Sequence, residues 1–210
     1  VSQTLNKREI TITPISSSFS LTSYDNKAVA DISKPETLSL SDGYYCATAN
    51  NKEYNQTKKC FTVYQINSSF NIDFDYSKEK LVDLLKTEKT AILSQLSSQY
   101  SSVINYFTIC EGALYKKGDW YSGIVTEKIQ HQADSSDYYR FIMQKKNGEW
   151  IVKTTPSVVI TKLSDESKDI PQEVITSANN QASCRAEVTT GSLLPDTTTF
   201  PEKPPIRDGE

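Results

Sequence analysis

The chain divides by the period of its apolar positions. Up to residue 75, runs such as "EITIT", "FSLTS", "AVADI", "TLSLS", "YYCATA" and "CFTVY" alternate apolar and polar residues. This period of two, with turn signals roughly every 8–12 residues, predicts the short strands of a small all-β sandwich. Pro14 and Pro35 belong at strand ends or edges, because proline has no N–H to give a ladder.

The period then lengthens. In "SKEKLVDLLKTEKTAILSQLSSQYSSVINYF", Leu81, Leu85, Ile92, Leu96, Tyr100, Val103 and Phe107 recur at steps of three and four, which places them on one helix face. Ser77 is the expected N-cap, and Glu79 in the first turn suits the helix dipole. The serine-rich middle predicts a break into two helices.

Two hairpins are expected next. "ALYKKGDWYSGIV" turns at Gly118-Asp119, and "YYRFIMQKKNGEWIVK" turns at Asn147-Gly148, the pair that a two-residue type I′ turn favours. The second turn sets a register, with Lys146 opposite Glu149, Lys145 opposite Trp150 and Met143 opposite Val152. Tyr139, Phe141, Met143, Trp150 and Val152 then share a core face, and the Lys145 stem lies near the Trp150 ring. "IPQEVITSANN" reads as a short helix with Pro171 in its first turn and Val174, Ile175 and Ala178 on its apolar edge. The fold class that follows is an all-β sandwich over residues 1–75, then an α+β domain over 76–188 with a long helix packed on an antiparallel sheet. The Pro/Thr-rich end, 189–210, has no periodicity and reads as a spacer tail.

Composition narrows the partners. The net charge is −3 and no basic stripe appears, so nucleic acid is not an expected partner. No apolar run reaches the ~18 residues of a membrane span, so membrane attachment is expected only through a segment outside this sequence. Val1 reads as the start of a mature or trimmed chain with any targeting segment removed. One histidine, His131, lies in the polar run "KIQHQADSSD" and reads as a solvated loop residue. A single imidazole excludes multi-histidine metal centres, and neither a metal nor another cofactor is expected.

The cysteines carry the clearest chemistry. Cys46 and Cys60 flank the polar loop "NNKEYNQTKK", each within a strand-forming run. Opposed residues of such a hairpin lie about 4.5–5.5 Å apart at Cα, within disulfide range. Neither is in a C-x-x-C pair, and Cys110 and Cys184 are isolated too, so metal and redox spacings are missing. Three connectivities are possible for four cysteines. The local pair Cys46–Cys60 is preferred, which leaves Cys110–Cys184 by elimination, and both imply an oxidising, extracytoplasmic compartment. Two sequons, at Asn55 and Asn67, are about what chance gives in so Ser/Thr-rich a chain.

Between Arg8 and Tyr64, "ITITPISSSFSLTSYDNK" and "KPETLSLSDGYYCATA" resemble the PEGA-type sandwich modules of bacterial extracytoplasmic proteins. Only the proline of the namesake Pro-Glu-Gly-Ala remains, in Pro14-Ile15-Ser16-Ser17, and the cysteine pair is not part of that pattern. The later "GDWYSGIVTEK" and "DYYRFIMQKKNGEWIVKTTP" are similar to NTF2-like or cystatin-like α+β domains of bacterial surface proteins, whose closing strands carry a Gly-x-Trp such as Gly148-Glu149-Trp150. "DGYYC" also resembles an immunoglobulin signature, but no tryptophan precedes Trp120, and Cys60 follows too closely to bridge two sheets.

Neither main resemblance implies catalysis. The first expectation is a non-enzymatic, secreted or surface-anchored module that binds or spaces a protein or cell-envelope partner, of open oligomeric state. The second is an NTF2-like pocket for a small ligand or glycan, lined by Tyr106, Tyr115, Trp120, Tyr121, Tyr138 and Tyr139. The third is a hydrolase using two carboxylates drawn from Glu111, Asp119, Glu127 and Asp137.

Overall fold

The computed structural model describes residues 6–64, 69–127, 138–161 and 167–181. Asn67, His131, Asp137, Cys184 and the tail over 189–210 lie outside the described residues.

The N-terminal region holds strands β1 (Lys7–Pro14), β2 (Phe19–Ser23), β3 (Ala28–Ile32), β4 (Glu36–Ser41), β5 (Gly43–Ala49), β6 (Lys59–Val63) and β7 (Ser69–Ile72). They form two sheets, ordered β4-β1-β7 and β3-β2-β5-β6. The alternating apolar residues of both meet in one core: Ile10, Ile12 and Leu40 from the first, Phe19, Leu21 and Ala47 from the second. This is the expected sandwich. Pro14 ends β1 and Pro35 precedes β4, so neither interrupts a ladder. One pairing was not legible: β7 runs parallel to β1, with Thr11 opposite Ser69 and Pro14 opposite Ile72.

Two helices follow, α1 (Lys78–Gln99) and α2 (Ser101–Tyr106). The Ser77 hydroxyl accepts the Lys80 N–H at 3.2 Å, and Glu79 sits in the first turn. The break falls at Tyr100, whose φ of −131° leaves the helix. Phe107 does not continue the helix as its spacing suggested. It opens a strand, because "FTIC" is a run of β-branched, aromatic and small residues that suits pleated surface.

Strands β8 (Phe107–Tyr115), β9 (Trp120–Glu127), β10 (Tyr139–Lys146) and β11 (Glu149–Val152) make a second antiparallel sheet, ordered β11-β10-β9-β8. The β10–β11 register is the expected one, from Lys146 opposite Glu149 to Met143 opposite Val152. Asn147 and Gly148 both have positive φ, 54° and 87°, as a type I′ turn requires. One face of this sheet meets α1: Phe141, Met143, Trp150 and Tyr121 pack with Leu85, Ile92 and Leu96. Each fully buried side chain of this size contributes roughly 1.5–3 kcal/mol.

The opposite face is also covered. A third helix, α3 (Gln172–Asn180), places Val174, Ile175 and Ala178 against Trp120 and Ile142. The sheet therefore has two buried faces, where the register alone suggested one. The consecutive run Phe141-Ile142-Met143, all buried, is the signature of burial on both sides. Pro171 is the N-cap of α3, one position before its first turn.

The two strand-rich regions touch where α1 begins. The Ser77 N–H donates to the Glu53 carbonyl at 2.8 Å, and Lys80 pairs with the Glu53 carboxylate at 2.8 Å. Lys117, in the β8–β9 turn, pairs with Asp73 at 2.5 Å.

Candidate functional site

A half-open cleft of about 310 Å³ lies between α1 and the edge strand β8. One helix ridge makes its first wall: Leu85, Lys89, Leu93 and Ser97 recur four apart, so they stack along one side of α1. At 1.5 Å per residue this ridge runs for about 18 Å. Phe107, Ile109, Cys110 and Gly112 of β8 make the facing wall, and Ile92 and Tyr121 close the bottom.

Backbone geometry shapes that floor. The β8–β9 register shifts between Cys110 and Ala113, a bulge that bends the edge strand. Gly112 lies in the bulge, where an added Cβ would meet the Tyr121 phenol at 2.5 Å and press on the Ser122 carbonyl. On β9, a Cβ at Gly123 would stand 2.8 Å from the Tyr121 oxygen and 2.6 Å from the Phe141 ring. The two glycines make the space in which the Tyr121 ring lies across the sheet. That ring is held on its other side by Phe141 and Trp150, at centroid distances of 5.8 and 6.3 Å.

The lining is mostly apolar. Ser97 donates to the Leu93 carbonyl, Thr108 is exposed, and Lys89 reaches the rim. Among the described lining residues there is no carboxylate and no histidine. The arrangement can hold an apolar group; among its described lining residues no nucleophile has an adjacent base.

The six aromatics named from the sequence do not gather here. Only Tyr121, 3% exposed, lines the cleft. Trp120 is buried on the α3 face, and Tyr115 packs beside it, its phenol 2.9 Å from the Ser122 hydroxyl. Burial pushes the Tyr115 phenol up, against hydrogen bonds with Ser122 and Ser177 that lower it. Tyr139 packs on the α1 side, edge-on to Phe107 at 5.7 Å. Tyr138 is half-buried, and Tyr106, at the end of α2, is 69% exposed. The reason is the pleat: Trp120 and Tyr121 are neighbours on one strand, so their side chains leave on opposite faces.

The carboxylates do not form a described pair. Asp119 is exposed in the β8–β9 turn. Asp137 and the side chains of Glu111 and Glu127 lie outside the described residues. Among the described residues no cluster of three or more metal-ligating side chains occurs.

Cys46 and Cys60 are directly opposed on β5 and β6 and form a disulfide, with Cα atoms 4.0 Å apart. Cys110 is also disulfide-bonded, and its expected partner, Cys184, lies outside the described residues. A disulfide is consistent with an oxidising, extracytoplasmic setting. No helix among the described residues is long and apolar enough to cross a membrane. Asn55, the described sequon, is exposed, and its side chain accepts the Thr57 N–H at 2.9 Å.

Two features escaped the sequence reading. The cleft ridge alternates apolar and polar residues along α1, so Lys89, Leu93 and Ser97 fall outside the apolar stripe named above; the i, i+4 spacing from Leu85 was the available signal. On the α3 face, Arg140 donates to the Val158 and Gln181 carbonyls at 2.5 and 2.7 Å, placing a cation at the C-terminal end of α3, where the dipole favours it.

No protein-family model, no curated protein and no solved structure matches this chain.

Proposed function

We propose that the chain is a non-enzymatic binding module of an extracytoplasmic compartment, secreted or surface-anchored, and that the cleft between α1 and β8 is its ligand site. In this reading a PEGA-like sandwich over 1–75 spaces or presents an NTF2-like α+β domain over 76–188, and the ligand comes from a cell-envelope or protein partner. The carrying observation is the cleft itself. Helix–sheet interfaces pack with few voids larger than a water, whereas about 310 Å³ lies at the lower end of ligand-pocket volumes. The mostly apolar described lining supports binding of an apolar group. The Cys46–Cys60 disulfide supports the compartment.

The test is a fluorescence titration with the neutral probe N-phenyl-1-naphthylamine. Saturable one-site binding is expected, weakened at least tenfold by Leu93→Trp, which fills the cleft from its half-buried wall. Equal binding by a folded Leu93→Trp protein would remove the cleft as the site.

A further inference from the structure

We infer that the cleft selects amphiphiles with an anionic head group, carboxylates of medium chain length, and that Lys89 supplies the selectivity. The inference rests on the reading of the cleft as the binding site and adds the chemical class of its ligand. Three observations carry it.

The first is size. At roughly 30 Å³ for a water-sized group, about 310 Å³ takes a chain of about ten carbon atoms. The second is the lining, in which Leu85, Ile92 and Leu93 of α1 and Phe107 and Ile109 of β8 offer aliphatic and aromatic surface, interrupted by Lys89, Ser97 and Thr108. The third is charge. Lys89 is exposed, sits between Leu85 and Leu93 on the ridge, and has no ion-pair partner among the described residues. A lysine stem lies along apolar surface while its ammonium stays in water. An alkyl chain seated on Leu85, Ile92 and Leu93 would bring its head to that ammonium at the rim.

The alternatives differ in chemistry. A neutral apolar ligand would gain nothing from Lys89, and a cationic amphiphile would be repelled by it. The chain's own tail, with Leu193, Leu194 and Phe200, is the other source of apolar groups.

The experiment is displacement of bound N-phenyl-1-naphthylamine from the full chain by decanoate, 1-decanol and decyltrimethylammonium at matched low ionic strength. Decanoate should bind best, about threefold to fivefold tighter than decanol, as an exposed ion pair allows. Decyltrimethylammonium should bind worst. The decanoate–decanol gap should close in Lys89→Gln and narrow as salt is raised. If decanol and decanoate bind equally well to the wild type, or if the gap survives Lys89→Gln, the inference fails and the cleft reading stands. If the probe binds nowhere in the cleft, both fail. Displacement by a synthetic 189–210 peptide and by none of the amphiphiles would assign the cleft to the tail and overturn the inference.

Discussion

Glu88 on α1 accepts the Trp150 indole N–H on one carboxylate oxygen at 2.8 Å and the Lys145 ammonium on the other at 2.6 Å. The Lys145 ammonium also lies 5.9 Å from the centroid of the Trp150 ring. This three-residue tie pins the helix to the hairpin that Asn147-Gly148 sets in register, and so fixes one wall of the cleft against the sheet. Glu88 is 16% exposed on its side chain, so its unmade bonds would not be replaced freely by water. Trp150→Phe keeps most of the packing and strands one carboxylate oxygen. It should cost about 1–3 kcal/mol in urea unfolding, with Glu88→Ala costing more because it leaves the indole N–H and the ammonium unpaired together.

The same tie gives a pH dependence. Burial alone would raise the Glu88 carboxyl, but hydrogen bonds from Lys145 and Trp150, with the Lys145 charge, hold it below its ordinary value of 4.5. A carboxyl lowered in the folded state stabilises fully above that ordinary value and loses its contribution as pH falls through the lowered one. The stability difference between wild type and Glu88→Gln should therefore be constant near neutrality and shrink below about pH 4.5. A difference that grows on acidification would contradict the assignment.

The Cys46–Cys60 bridge closes a short loop, with a sequence separation of 14. On the chain-entropy account a loop of about 15 residues is worth about 3 kcal/mol. Paired Cys46→Ser and Cys60→Ser substitutions should lower stability by about that amount. Alkylation followed by intact-mass measurement should find Cys46, Cys60 and Cys110 unreactive until a reductant is added. Alkylation of any of the three without reductant would contradict the proposed oxidising compartment.

Glycines in this chain differ in what they would cost. At Gly148 nothing lies within 4 Å of an added Cβ, so Gly148→Ala meets only the strain of its φ of 87°, about 1–2 kcal/mol. Gly112→Ala has no such conformational penalty to explain, yet its Cβ would press on the Ser122 backbone and the Tyr121 ring. It should cost more than Gly148→Ala and should also alter the cleft floor, lowering probe affinity where Gly148→Ala does not. Urea unfolding and probe titration of the two variants separate these effects.

The local parts of the fold were legible because local chemistry determines them. Asn147-Gly148 sets a register, Ser77 caps a helix, and Cys46 and Cys60 face each other across a hairpin; each depends on residues near in sequence. What was not legible depends on distant partners. Glu88 meets residues 57 and 62 positions away, so nothing near it marks its role. The bulge at Gly112 looks in sequence like any strand glycine until Tyr121 is laid over it. The six aromatics are spread for a different reason: residue type carries no face, and the pleat sends Trp120 and Tyr121 to opposite sides of the sheet.

Whether the proposed α1–β8 cleft binds a ligand can be read from methyl-labelled NMR of the full chain, with the neutral ligand 1-decanol added stepwise. Shifts should concentrate at Leu85, Ile92, Leu93 and Ile109, with Val174 and Ile175 on the α3 face unchanged. Shifts centred on the α3 face or on the sandwich core, with those four methyl groups still, would contradict it.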